Sequence, residues 1–539
     1  MATATAMAPA TPRGPGRWLP ALLMALGLAA LVVEAAVFSQ YGTTVYDDGG
    51  YAYEGWLTVA HGWMPYRDYY ARVTPLLSYI YGLPQYLFGP SILVGRLTSV
   101  VLTLVGLGLG MVCARRLAGD WAAVLTIWLF AVNPSVLSYH FHAYAVGVTA
   151  CFIGLTACAL TWQRRPVAGA YLGALGVALF LLCRHDLLAM ALVAWAYLLF
   201  WHPAPRRHRL GAVLGSFALI IAVMLPFYLA APEVVRYALT VGRSAPPDLR
   251  PQAYMIGQPV TLFTIAWHLM MWLRYHAHAI LLLVPAAGLV VAAGLAGRRL
   301  RAMLAGNAPV LLVFGLGLAH FAAIELGVLA IRYSPSTILY PFGFLPIAVA
   351  AAIVFMKAGR HFRQPGQRSY HVLLGVLAIV FVPVLVGRGA HVQFSLARPT
   401  DLERVAIGAQ LIARYTTPAD RIFTTGDPQF FLEARRFLLP ALTEQFFNFR
   451  DSRDTARLRR YNFFNQEIVH EWLSGEATVA VVSDGALEWL RHSGRYAGGE
   501  ALVQQIMADI ARNYDLVATA AGAYQGTTRV YRLKAPPPR

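Results

Sequence analysis

The chain has 539 residues, 58% of them apolar and only 13% charged, far from the roughly 25% charged of a soluble globular protein. Its formal net charge of +18 is spread over short basic clusters that alternate with apolar runs. That pattern argues against a nucleic-acid-binding face and for a polytopic membrane protein obeying the positive-inside rule.

A spanning helix needs about 20 apolar residues, and cytoplasmic loops carry the arginines. Arg13 and Arg17 therefore place a tail of residues 1–17 inside, followed by a retained first span over about 18–39. This run is longer than the 7–15-residue core of a cleaved signal peptide. Residues 40–90 form a first outside loop. Spans follow over about 92–113, 121–140, 143–162, 167–183, 187–202 and 210–231, with Arg115-Arg116, Arg164-Arg165 and Arg206-Arg207-His208-Arg209 marking inner loops. Arg184-His185-Asp186 is the outer tip of the hairpin between the fifth and sixth spans. An outside loop over 232–277 is long enough to act as a lid, and it leads to spans over about 278–296, 308–331, 335–356 and 370–387. The four cysteines (Cys113, Cys151, Cys158 and Cys183) lie inside apolar runs without metal-ligand spacing, so neither a disulfide nor a zinc site is expected.

Near residue 389 the texture changes. Ten of the 26 acidic residues precede residue 390 and sixteen follow it. β-type runs at Arg421–Thr425, Ala477–Ser483, Tyr514–Thr519 and Arg529–Leu533 are separated by amphipathic helical stretches such as Asp401–Tyr415 and Glu500–Tyr514. The expected architecture is about 11 transmembrane helices over 18–388, an extracytoplasmic soluble α/β domain over 389–534, and a proline-rich disordered tail over 535–539.

Candidate chemistry concentrates in the first outside loop, which holds Asp47, Asp48, Glu54 and Asp68. A solvated loop accounts for any one of these. Asp47 and Asp48 stand apart because they follow the first span closely, at membrane level, where ionised groups are costly. Adjacent carboxylates also perturb one another, which suits proton abstraction. Glu325 and Glu34, inside predicted spans, are equally compatible with function or with neutralising a neighbour.

Tyr46-Asp47-Asp48 followed by Tyr51-Ala52 and Glu54 resembles the start of the first loop in GT-C glycosyltransferases, in the branch of the aminoarabinose-lipid A transferase and protein O-mannosyltransferase. The resemblance continues through Gly62, Pro65-Tyr66-Arg67-Asp68, Pro75-Leu76-Leu77, Tyr79, Phe88-Gly89 and Arg96-Leu97. It covers residues 18–200 and extends over the rest by layout. It implies a plasma (inner) membrane enzyme that moves a sugar from a polyprenyl-phosphate donor to a glycan, lipid or protein acceptor on the extracytoplasmic face, with inversion. By the same resemblance Asp47 is the base, and Asp48 stands where the family often has Glu. Glu54, Arg67 and Asp68 become acceptor or loop contacts. Relatives often carry an acid after the third span, where this chain has His140 and His142; an acceptor contact, a metal ligand and an interfacial pair all fit them.

Such a reaction develops negative charge on the leaving lipid phosphate and needs fixed cations to meet it. Arg184, His185, Arg332 and Tyr333 stand at the outer ends of spans, and a guanidinium pairs with phosphate oxygens in a two-pronged way. Snorkelling to headgroups, or pairing of Arg184 with Asp186, is the plainer reading. A divalent cation, magnesium or manganese, held by Asp47 or Asp48 would serve the same end. Two other functions remain open: a transporter or flippase of lipid-linked glycans, and a non-catalytic envelope assembly protein.

Overall fold

A computed structural model describes residues 18–41, 47–131, 139–240, 249, 300–325, 341–361, 400–450, 452–492 and 499–534. The predicted spans over 278–296 and 370–387, Arg332, Tyr333, and the side chains of Asp47 and Glu325 lie outside the described residues.

The first predicted span is helix α1 (Trp18–Phe38). The first loop is itself helical, with α2 (Asp47–His61) and α3 (Leu76–Phe88). Next come α4 (Ile92–Ala118), α5 (Asp120–Ala131), α6 (Ala145–Leu160), α7 (Pro166–Cys183), α8 (Leu188–Phe200), α9 (Arg206–Ala230) and the short α10 (Pro232–Leu239). Helices α11 (Leu300–Glu325) and α12 (Pro341–His361) overlap the spans predicted over about 308–331 and 335–356. By length and composition, α1, α4, α7 and α9 are long and apolar enough to cross a membrane, and several shorter apolar helices accompany them.

Lipid gives apolar helices no hydrophobic reason to associate, so close packing needs small residues where two backbones meet. Helix α4 meets α6 this way. A Cβ on Gly154 would lie 2.5 Å from the Gly106 carbonyl oxygen, and one on Gly147 would lie 2.6 Å from Ser99 Oγ. In the first loop, a Cβ on Gly55 would lie 2.7 Å from the Gly82 nitrogen, so α2 and α3 also touch backbone to backbone.

The C-terminal unit opens on α13 (Asp401–Tyr415), whose start carries a capping box: Thr400 accepts from the Glu403 amide while Glu403 accepts from the Thr400 amide. Strand β1 (Ile422–Thr424) leads to α14 (Pro428–Ala434), α15 (Thr455–Arg460) and α16 (Gln466–Glu471), then to β2 (Val479–Ser483). After α17 (Asp484–His492) and α18 (Gly499–Asn513), the chain ends in the hairpin β3 (Tyr514–Ala523) and β4 (Gly526–Leu533). Sheet order is β1-β2-β4-β3, with β1 and β2 parallel and the other pairings antiparallel. Every residue of β1 and β2 is buried, which explains why both are apolar up to a closing hydroxyl residue, Thr424 and Ser483. The four strands fall on the four predicted β-type runs.

This α/β unit docks on the first loop. Tyr53 of α2 donates to the Arg436 carbonyl oxygen (3.0 Å) and accepts from the Leu438 amide (2.9 Å), while Trp56 stacks on Phe437 at 5.4 Å. Burial pushes the Tyr53 phenol well above its ordinary range, outweighing the Leu438 amide that draws it down, so the hydroxyl remains a donor. Tyr53→Phe strands the buried Leu438 amide and is expected to destabilise the protein by about 1–3 kcal/mol, read as a lower thermal midpoint in detergent. Glu433 reaches up to the start of α4, where its Oε1 accepts from Ser91 Oγ (2.8 Å) and the Ile92 amide (2.7 Å). A carboxylate there satisfies an amide left over at the helix start and meets the positive end of the helix dipole.

Candidate active site

The first turn of α2 is Asp47-Asp48-Gly49-Gly50, in which Asp48 has an electrostatic duty and Gly49 a steric one. Asp48 is 1% exposed. Its Oδ2 takes two bonds from the Arg96 guanidinium of α4 (Nε 3.0 Å, Nη2 2.5 Å), and its Oδ1 accepts from the Ala143 amide (2.6 Å). Arg96 in turn donates to the Ser39 carbonyl oxygen at 2.6 Å. One buried ion pair thus ties α1, α2, α4 and the segment leading into α6 at a single point. Both oxygens of Asp48, expected to share the catalytic or metal-binding work, are engaged here and its charge is already matched. The signal for its partner was legible, since an arginine inside an apolar span demands a counter-charge.

Gly49 is required by the docked domain. A Cβ there would lie 2.5 Å from Asp427 Oδ1 and 2.7 Å from the Gln429 nitrogen, both in the loop after β1 and the start of α14. Gly49→Ala should therefore loosen the domain from α2 at about 1–3 kcal/mol, measured as faster limited proteolysis of the α/β unit and a lower thermal midpoint. Tyr524, at the β3–β4 turn, approaches the same place: burial first, then the charges of Asp427, Asp401 and Asp48, push its phenol up. Asp47 opens the helix that these contacts hold in place.

Around the start of α2 lies a ring of aromatic and cationic groups. Tyr51 meets Tyr144 edge to face at 5.7 Å, and Tyr144 meets Tyr139 at 5.6 Å. The Arg72 guanidinium stands 5.9 Å from the Tyr51 ring and 4.8 Å from that of Phe447, and its Nε lies 2.5 Å from the buried Glu444 of the α/β unit. On another side, Arg184 is close enough to Tyr51 and Tyr144 to interact with both electrostatically. Arg72 and Glu444 escaped sequence reading because each is unremarkable in its own segment and they meet only in the fold.

The other expected site residues divide. Arg184 is buried, not snorkelling; it forms a two-pronged pair with Asp186 (2.9 and 2.5 Å) and lies 4.9 Å from the Phe342 ring. Among the described residues, neither ring nitrogen of His185 has a hydrogen-bond partner, and both are enclosed. The hairpin tip is thus folded into the protein rather than set among headgroups. His140 and His142 are likewise buried, with separate partners: Nδ1 of His140 is 3.4 Å from Thr103 Oγ1, and Nε2 of His142 is 3.0 Å from the Tyr41 carbonyl oxygen. Neither matches the interfacial reading. Glu54 is fully buried beside Tyr66 and Tyr69, whose phenols are pushed up by burial and then by its charge. Arg67 and Asp68 pair with each other at 2.7 Å on a half-exposed turn, where Asp68 also accepts from the Met64 amide. Burial pushes Asp68 up, but Arg67 and that amide together hold it below the usual carboxylate range.

As for a metal, Asp48 does not fit the role, and among the described residues no three His, Cys, Asp or Glu side chains gather as a ligand set.

No protein-family model matches the chain, and no curated protein matches it in sequence. Solved structures do match. ArnT from Cupriavidus metallidurans bound to undecaprenyl phosphate superposes with a TM-score of 0.59 at 15% identity, over 96% of this chain and 98% of that one. The same protein in the apo state gives 0.56 at 16% identity, over 95% and 97%. The oligosaccharyltransferase of Archaeoglobus fulgidus in its apo form gives 0.48 at 13% identity, over 94% and 74%.

The chain has the GT-C fold.

That likeness spans almost the full length of both chains, so the GT-C fold takes in the apolar helices and the C-terminal α/β unit alike. At this identity it speaks for architecture, and the chemistry rests on the side chains described above.

Proposed function

We propose that this protein is a membrane glycosyltransferase that takes a sugar from a polyprenyl-phosphate donor and passes it to an envelope glycan, lipid or protein acceptor on the extracytoplasmic face. The observation that carries the reading is the start of α2: Asp47 opens a helix pinned by Asp48 and Arg96, with Tyr51 one turn on and Arg72 and Arg184 near that ring.

In the proposed reaction Asp47 takes the proton from the acceptor hydroxyl as its oxygen attacks the anomeric carbon. Attack comes from the face opposite the phosphate, so the anomeric centre inverts. The bond from the anomeric carbon to the phosphate oxygen breaks, and its electron pair leaves on the lipid phosphate. Arg184 and Arg72 are the cations proposed to meet that charge. Asp186 and Glu444 hold the two guanidiniums in fixed orientations, so little reorganisation accompanies the step. ArnT, which shares the fold, has been seen with undecaprenyl phosphate, the form a donor takes once its sugar has left.

The test uses the purified protein in nanodiscs with a panel of polyprenyl-phosphate sugars and candidate acceptors. Release of polyprenyl phosphate that depends on acceptor supports the proposal. Passage of the donor across a bilayer with no release would replace it with transport. Magnesium or manganese at Asp47 is tested in the same assay by chelation and add-back: recovery on add-back adds a cation to the site, and unchanged turnover after chelation removes it.

A further inference from the structure

Helix α3 has two unlike faces. Leu77, Ser78, Tyr81, Gly82 and Gln85 are buried within the protein. Tyr79, Leu83, Tyr86, Leu87 and Phe88 point away from it and are 42, 55, 64, 63 and 78% exposed. A contiguous apolar face of this kind marks an interaction surface rather than a water-facing one. With 13 residues the helix is roughly 20 Å long, too short to cross a membrane.

Both ends of that face run into apolar surfaces of the long helices. Through the turn at Gly89, α3 passes directly into α4, whose Leu97, Val101 and Val105 are 47, 57 and 46% exposed along one stripe. At the other end the Tyr79 ring lies 6.4 Å from Phe227 near the end of α9, where Leu225 and Leu229 are 46 and 71% exposed. The α3 face therefore continues the lipid-facing surface of α4 and α9 sideways. A protein partner on it would have to share that surface with lipid.

A cation stands at the same level. Arg435 ends α14 in the left-handed conformation (φ 56°, ψ 51°), a position that favours glycine. Its exposed side chain reaches the α3–α4 turn, with Nη2 3.7 Å from where a Cβ on Gly89 would be. Two residues earlier in the chain, Glu433 is bonded to Ser91 and Ile92 at the start of α4, which fixes the depth of this corner of the α/β unit.

We infer that α3 and Arg435 together form a membrane-interface anchor. The apolar face of α3 lies at the boundary between headgroups and acyl chains, and Arg435 pairs with the phosphate of an anionic phospholipid. The α/β unit is then held to the bilayer through lipid as well as through its contacts with the first loop. This inference needs the chain to be a membrane protein but does not depend on the transferase reading.

The test places a diazirine amino acid at Leu87 in the full-length protein, reconstituted in vesicles of equal phosphatidylglycerol and phosphatidylcholine. As a control the same group is placed at Leu516, an exposed apolar residue (55%) on the edge strand β3. After illumination, phospholipid adducts are expected on the Leu87 peptide and not on the Leu516 peptide, with phosphatidylglycerol in several-fold excess. Arg435→Asn, which tolerates the left-handed backbone, should bring the ratio of the two lipids to about one. Absence of lipid adducts at Leu87, or cross-links there to a second copy of the chain, overturns the anchor. Adducts whose lipid ratio is unchanged by Arg435→Asn overturn the phosphate contact.

Discussion

Asp47→Asn is expected to lower sugar transfer by about 10²- to 10⁴-fold, the usual worth of a positioned general base, while leaving the protein folded. The reason is geometric as well as chemical. Asp47 is the first residue of a helix anchored by its neighbour, so the amide variant keeps the backbone and loses only the proton acceptor. The measurement is acceptor-dependent release of polyprenyl phosphate in nanodiscs, beside a thermal unfolding curve. Transfer at the wild-type rate in the variant would remove Asp47 from the role and return attention to the other acids of the first loop.

Asp48→Asn should behave in the opposite way. Removing one partner of a buried ion pair leaves the Arg96 charge uncompensated, and such losses run to about 3–5 kcal/mol. The expected result is a large drop in thermal midpoint. Transfer measured well below that midpoint should persist, because Asp47 is still present. Asp48→Asn combined with Arg96→Gln should recover part of the lost stability, since no lone charge then remains buried. Equal loss of transfer in Asp47→Asn and Asp48→Asn, with both proteins folded, would defeat the distinction between base and brace. Comparing the two neighbours in one preparation separates catalysis from support more cleanly than either variant alone.

The pair also shows how far the site could be read in advance. That an acidic pair opens the first loop was plain from Val45-Tyr46-Asp47-Asp48-Gly49-Gly50, and so was its unusual position just after a span. That Asp48 is held in place was not, because its partners are Arg96 and the Ala143 amide. The hairpin tip taught the same lesson. Arg184 and His185 were placed by topology at the outer ends of two spans, where long side chains ordinarily reach for headgroups. The fold instead encloses both, with Arg184 against Phe342, a residue of a helix far along the chain. Arg72 carried no local mark; its distinction comes from Glu444 and Phe447, in a different unit of the protein.

The sequence by itself determined the membrane class, the first apolar helix over Trp18–Phe38, the first turn of α2 as a place of interest, and the strands and flanking helices of the C-terminal unit. These are local properties. A run of apolar residues, an alternation of period two or a capping box acts within one turn or one strand and needs no partner elsewhere to be recognised. The tertiary structure alone decided the pairings: Asp48 with Arg96, Arg72 with Glu444, Glu433 with the start of α4, and Gly49 with Gln429. Each is a match of charge or shape between segments distant in the chain. Many partners of suitable charge were available to each residue, and only the packing of backbone on backbone selected one.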